Sequence, residues 1–229
     1  MIIGKGLIAS AFADQEEMLE DVVLFASGVS DSSCRDIEEF EREKQLVRSI
    51  YSAHKGKLFV YFSTISILDP SLQGSAYTEH KKGIERALMG LDNTLILRCP
   101  NIIGKGGNPK TLINYLAHCI RSDKGFEVWS NAHRNFLGMN DLKKITLALI
   151  ERDKRGIRAI VHPYSYSISE IVIELEKLLR KKARFSVAEG GAHYVPETDV
   201  ELMELFNELN INTSSGYLEH VLSTYLETK

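Results

Sequence analysis

Phe59-Val60-Tyr61-Phe62-Ser63-Thr64 is a run of aromatic and β-branched residues that closes on two hydroxyls. A short stretch that is apolar at every position and bounded by polar residues is the pattern of a strand covered on both faces of a parallel sheet. A helical pattern follows over residues 77–89, with apolar Ile84, Ala87 and Leu88 on one side. Four further segments, residues 1–4, 22–26, 94–98 and 157–162, read as buried strands, and residues 36–54 read as a helix with apolar Ile37, Phe40, Leu46, Val47 and Ile50. Strand, helix, strand in this order predicts an α/β fold, a parallel sheet of five strands with right-handed crossovers.

Past Asn101 the pattern changes to helices with longer irregular joins, at residues 110–121, 141–151, 169–182, 200–209 and 217–226. Asn140-Asp141 is expected to cap one of them and Ser167 or Ser169 another. The expectation is a core over residues 1–105 and a C-terminal part over 106–229. That part forms a small, mainly helical lobe and returns a strand and helices to the sheet, over the carboxyl edge where open α/β sheets bind ligands.

With 229 residues, 44% hydrophobic and 26% charged, the chain has room for one sizeable core and a smaller lobe. A formal charge of -3 gives no basic footprint for nucleic acid. No apolar run is long enough to span a bilayer, and the first residues carry no signal-peptide pattern, so a cytoplasmic protein without a membrane partner is expected. Cys34, Cys99 and Cys119 form no paired motif and the seven histidines are scattered, so neither disulfide nor metal is expected.

Three features carry chemistry. Gly4-Lys5-Gly6-Leu7-Ile8-Ala9 is a tight strand-to-helix turn where a backbone can approach a pyrophosphate, although any such turn in an α/β protein also favours glycine. Tyr77 and Lys81 share a helical face at a spacing of four, but so do Tyr51 with Lys55 and Tyr225 with Lys229. Position separates them: only Tyr77 opens a helix just after a hydroxyl-ended strand, so that Thr64 and Tyr77 converge at the carboxyl edge of the sheet. Gly190-Gly191-Ala192-His193-Tyr194 reads as a turn in preference to a substrate loop, and Cys99 as a packing thiol.

These elements in order, with Asp21 to Ala26, Phe62 to Leu68 and Leu97-Arg98-Cys99-Pro100-Asn101-Ile102-Ile103-Gly104, resemble the extended short-chain dehydrogenase/reductases of the nucleotide-sugar epimerase/dehydratase type, over residues 1–105. The resemblance implies a shortened, Rossmann-like doubly wound sheet, NAD or NADP as cofactor and a nucleotide sugar as substrate. It implies Thr64, rather than Ser63, with Tyr77 and Lys81 as catalytic residues. Tyr77 would be the general acid/base, Lys81 would favour its phenolate and bind the nicotinamide ribose, and Thr64 would bind the reacting oxygen. It further implies Gly4, Gly6, Leu7, Ile8, Ala26, Lys81 and Pro100 as cofactor-binding positions. Asn101 matches the asparagine that touches a substrate diphosphate. Arg134, in Arg134-Asn135-Phe136-Leu137-Gly138-Met139-Asn140-Asp141, matches an arginine that pairs with nucleotide phosphate. Ile65-Ser66 stands where dehydratases carry an acidic pair, which leaves epimerisation or ketoreduction, with a place in polysaccharide or O-antigen synthesis.

The chain also departs from that family. Relatives insert two strands between the glycine turn and the strand at residues 22–26, and the first of them reads the adenosine ribose; here the residues between Ala9 and Asp21 suffice for one helix only. The first strand becomes a sheet edge, open to a homodimer contact or another partner. The alternative function is therefore a non-catalytic binding or scaffold protein that has lost its cofactor.

Overall fold

The computed structural model describes residues 1–15 and 17–226. In chain order the elements are β1 (Ile2–Ile3), α1 (Leu7–Ala11), β2 (Val22–Phe25), α2 (Ile37–Ala53), β3 (Leu58–Thr64), α3 (Ala76–Met89), β4 (Thr94–Cys99), β5 (Asn101–Ile103), α4 (Leu112–Arg121), β6 (Phe126–Trp129), β7 (His133–Gly138), α5 (Met139–Glu151), β8 (Gly156–Ala159), β9 (Ser165–Ser167), α6 (Ile168–Leu179), β10 (Phe185–Ala188), α7 (Val200–Glu208) and α8 (Tyr217–Tyr225). They form two compact units, one of residues 1–99 and 143–160, the other of residues 100–142 and 161–229.

The first unit holds the expected five-stranded sheet, in the order β1-β2-β3-β4-β8 with every neighbouring pair parallel. Alternation along the strands sends Val23, Phe25, Phe59, Tyr61 and Ile96 to one face, where Val47 of α2 and Ile84 and Leu88 of α3 close a buried cluster. Each such side chain contributes roughly 1.5–3 kcal/mol relative to exposure. The opposite face is lined by Leu24, Val60 and Leu95, all wholly buried, and Phe12 packs against Phe62 with ring centroids 6.2 Å apart. Asp36 starts α2 by accepting from Glu38 N, and Ser75 starts α3 by accepting from Thr78 N, so each crossover helix begins at a capped point. β1 is an edge strand of only two residues, a length that limits the unpaired backbone it offers.

The second unit combines helices with short strands that periodicity does not resolve. β5, β7 and β9 form one small sheet, β6 and β10 another. The reason is length: β6 alternates buried and exposed over four residues only, and β9 has three. Ser167 caps α6 through a full capping box with Glu170. Met139, not Asn140, opens α5, so Asn140 and Asp141 lie in its first turn and do not cap it. Tyr217 anchors this unit, donating to Asp141 Oδ2 at 2.6 Å while its oxygen accepts from Gly138 N at 2.8 Å.

Candidate functional site

Ser63 and Thr64 are neighbours on β3 and therefore point to opposite sides of the strand. Ser63 Oγ donates to Glu85 Oε1 at 2.6 Å, and Glu85 is held in turn by Arg98, whose Nη2 donates to Oε2 at 2.6 Å. Ser63 thus belongs to a buried network between β3, α3 and β4. Thr64 turns instead toward the start of α3, where its side chain lies close enough to Tyr77 to influence the phenol. The Thr64 oxygen also accepts from Ser66 N at 3.1 Å, which fixes its rotamer. Both residues are buried. Burial raises the Tyr77 phenol well above its ordinary range; the neighbouring Thr64 hydroxyl works against this, and the Glu43 carboxylate adds to it.

Lys81 sits one turn further along α3, with Nζ 5.9 Å from the centroid of the Tyr77 ring. Its ammonium donates to Glu43 Oε1 at 2.9 Å and to the Tyr61 hydroxyl at 3.1 Å. Glu43 is the hub of this cluster. Oε1 also accepts from Tyr61 at 2.7 Å, and Oε2 accepts from His80 Nε2 at 2.9 Å and from Val29 N at 2.7 Å. The side chains of Glu43 and Lys81 are 0% and 2% exposed, so the pair is sealed from water. Burial pushes the Glu43 carboxyl up, but Lys81, His80 and Tyr61 outweigh it and hold it down to about 2. Gly28 covers the pair: a Cβ built there would stand 2.8 Å from both Glu43 Oε1 and Lys81 Nζ.

Glu43, Tyr61 and His80 were absent from the set read from sequence. The signal is the stripe Phe40, Glu43 and Val47, all buried on α2, where a carboxylate interrupts an apolar face. A charge at such a position demands a partner, and His80-Lys81 supplies two.

Gly4, Gly6, Leu7, Ile8 and Ala26 meet where β1 and β2 end. Gly4 has φ +132°, and a Cβ there would lie 2.4 Å from the Ala26 carbonyl oxygen, so the turn requires glycine. Gly6 has no such restriction: nothing lies within 4 Å of its Cβ position, leaving open space beside the start of α1. That helix has five residues, which makes its dipole short, and two 3-10 turns, Ala13–Gln15 and Glu17–Leu19, carry the chain on to β2.

Pro100, Asn101 and Arg134 belong to the second unit. Asn101 Nδ2 donates to the Asn135 carbonyl at 3.1 Å, and Arg134 Nη1 to the His133 carbonyl at 2.8 Å. Residues 190–194 form an irregular loop in which Gly191, at φ +78°, presses against Ala132. Cys99 is a buried thiol pushed up to about 12 by burial, against an opposing effect of Lys81. Among the described residues no cluster of three or more acidic, histidine or cysteine side chains is arranged for a metal, and no helix is long and apolar enough to cross a membrane.

The sequence matches no protein-family model and no curated protein. Solved structures do match. UDP-N-acetylglucosamine 4-epimerase from Bacillus cereus aligns with a TM-score of 0.73 at 16% identity, over 97% of this chain and 93% of that one. UDP-glucose 4-epimerase from Thermus thermophilus, in complex with NAD, gives 0.70 at 15% identity, over 93% of this chain and 78% of the other. dTDP-glucose 4,6-dehydratase from Bacillus anthracis, also in complex with NAD, gives 0.68 at 14% identity, over 95% and 77%. This chain thus shares, in shortened form, the Rossmann-like α/β fold of these solved structures.

Proposed function

We propose that the protein is an NAD(P)-dependent enzyme acting on a nucleotide sugar, as an epimerase or a ketoreductase, with a place in polysaccharide synthesis. The observation that carries this reading is the juxtaposition of buried Thr64, at the carboxyl end of β3, with buried Tyr77, in the first turn of α3. The pyrophosphate of a dinucleotide suits the glycine turn: Gly4 brings β1 against β2 without a side chain, and Gly6 leaves space at the start of α1. In the described residues between β1 and β2 there is no strand, so an adenosine half has only α1 and the 3-10 turns to rest on.

In this reading Gly4, Gly6, Leu7, Ile8, Ala26 and Pro100 bind the cofactor, while Asn101 and Arg134 bind the nucleotide diphosphate. The cofactor, when bound, supplies or accepts a hydride. Tyr77 gives or takes the proton at Oη, Thr64 orients the reacting oxygen through its hydroxyl, and Lys81 presents its charge beneath the phenol. A second reading, a binding or scaffold protein without turnover, is favoured by the engagement of Lys81 with Glu43 and by the missing strands. Turnover assays with UDP- and dTDP-linked sugars and both cofactors separate the two. Hydride exchange that Tyr77→Phe abolishes supports the enzyme, and its absence in the wild type supports the scaffold.

A further inference from the structure

Most buried lysines with a carboxylate partner can be assigned to fold stability alone, but Glu43 stands in a more specific place. Its four donors come from three separate segments: Tyr61 from β3, His80 and Lys81 from α3, and Val29 from the segment after β2. Phe40 stacks on the His80 ring at 4.4 Å, so the imidazole cannot swing away, and its Nδ1 is buried without a partner. Gly28 lies over the pair, and any side chain there would collide with the carboxylate and the ammonium. Lys81 donates to Glu43 and to the Tyr61 hydroxyl, which itself donates to Glu43, so both of its bonds lead to the same carboxylate.

We propose that Glu43 is a positioning residue acting through Lys81: it aims and neutralises the ammonium, so that Tyr77 meets its substrate as a neutral phenol, a proton donor to a carbonyl oxygen. The proposal rests on the reading of Tyr77 as the proton-transfer group. The groups that act on the phenol are Thr64 from the end of β3, Glu43 from α2, Cys99 from β4 and Asp31 from the segment after β2, with Lys81 of its own helix 5.9 Å from the ring centroid. Only Lys81 among them is a cation, and its charge is matched by Glu43 at 2.9 Å. The step that follows is reduction of a carbonyl. With a reduced nicotinamide bound as hydride donor and itself oxidised, the C=O π pair would move to oxygen as hydride reached the carbonyl carbon, and Tyr77 Oη would give its proton to that oxygen. Water then reprotonates the phenolate.

The test is a titration of phenolate absorbance, comparing wild type with Tyr77→Phe and Glu43→Gln with the Glu43→Gln/Tyr77→Phe double variant, so that each difference isolates Tyr77. In the wild type the Tyr77 difference is expected to stay absent through the ordinary tyrosine range, near pH 10. In Glu43→Gln it is expected to appear at least about one pH unit lower than in the wild type, about tenfold more phenolate at a given pH. Glu43→Asp should restore the wild-type curve, a rescue that a purely structural role does not predict. Identical Tyr77 curves in wild type and Glu43→Gln overturn the proposal. If Glu43→Gln fails to fold by circular dichroism, a wild-type Tyr77 titration at or below the ordinary range overturns it by itself. The experiment needs neither cofactor nor substrate. A protein that binds no nicotinamide therefore loses the enzyme reading while the titration still decides what Glu43 does.

Discussion

Lys81 Nζ donates to Glu43 Oε1 across 2.9 Å, and the side chains of both are out of contact with solvent. A lysine one helical turn beyond Tyr77 is thereby committed to a carboxylate from another helix. The pair joins α2 to α3 under the sheet edge where Thr64 and Tyr77 meet, so the stability of the fold and the electrostatics of the site share the same atoms.

Removing one member of that pair leaves the other buried and uncompensated. Lys81→Met is expected to cost about 3–5 kcal/mol, measured by urea unfolding. Lys81→Met combined with Glu43→Leu should recover part of the loss, because two apolar side chains replace two charges. A double variant less stable than the sum of the singles would contradict this assignment of the energy.

The same carboxylate sets an acid dependence of stability. Its carboxyl is held at about 2 in the folded protein against 4.5 for the free group. A lowered value means that the folded state binds the proton less readily, so the contribution is complete above pH 4.5 and disappears as pH falls through about 2. Its size is about 3 kcal/mol. Glu43→Gln should flatten the unfolding free energy across that window, and an unchanged slope in the variant would show that other carboxylates carry it.

Gly4 and Gly6 should respond differently to the same substitution. Gly4→Ala places a methyl group 2.4 Å from the Ala26 carbonyl oxygen at φ +132°, so β1 must move. A loss of at least about 1–3 kcal/mol is expected. Gly6→Ala meets open space and should leave the melting temperature within a few degrees of wild type, while weakening any ligand that occupies that space. Thermal melts of the two variants, with and without cofactor, check both statements.

Tyr217→Phe should weaken the second unit. It removes the donor to Asp141 Oδ2 and the acceptor of Gly138 N together. Leaving the buried Gly138 N–H without its partner costs about 1–3 kcal/mol, and the half-buried Asp141 carboxylate adds less because water reaches it. Hydrogen exchange at Gly138 should speed up accordingly.

The sheet was readable because its strands are uniformly apolar and its helices amphipathic: β2, β3 and β4 fall within a residue of the expected bounds. The meeting of Thr64 with Tyr77 was readable from the order of the chain, since a strand that ends in hydroxyls delivers them to the helix that follows. The Glu43 hub was not, because its partners come from segments that only the folded chain brings together. His80-Lys81 lies thirty-seven residues or more from Glu43. The small sheets of the second unit were missed for a different reason. β9 and β5 have three residues each, and β6 has four, too few for alternation to stand out from the surrounding loops.

Whether a nicotinamide reaches Thr64 and Tyr77 is the question on which the enzyme reading depends, and a fluorescence and calorimetric titration of the full chain with NADH and NADPH answers it most directly. The expected result is saturable binding of one cofactor at or below millimolar concentration, weakened by Gly6→Ala, with the fold unchanged by circular dichroism. No binding of either cofactor at millimolar concentration to the folded protein would contradict the enzyme reading and leave the scaffold in its place.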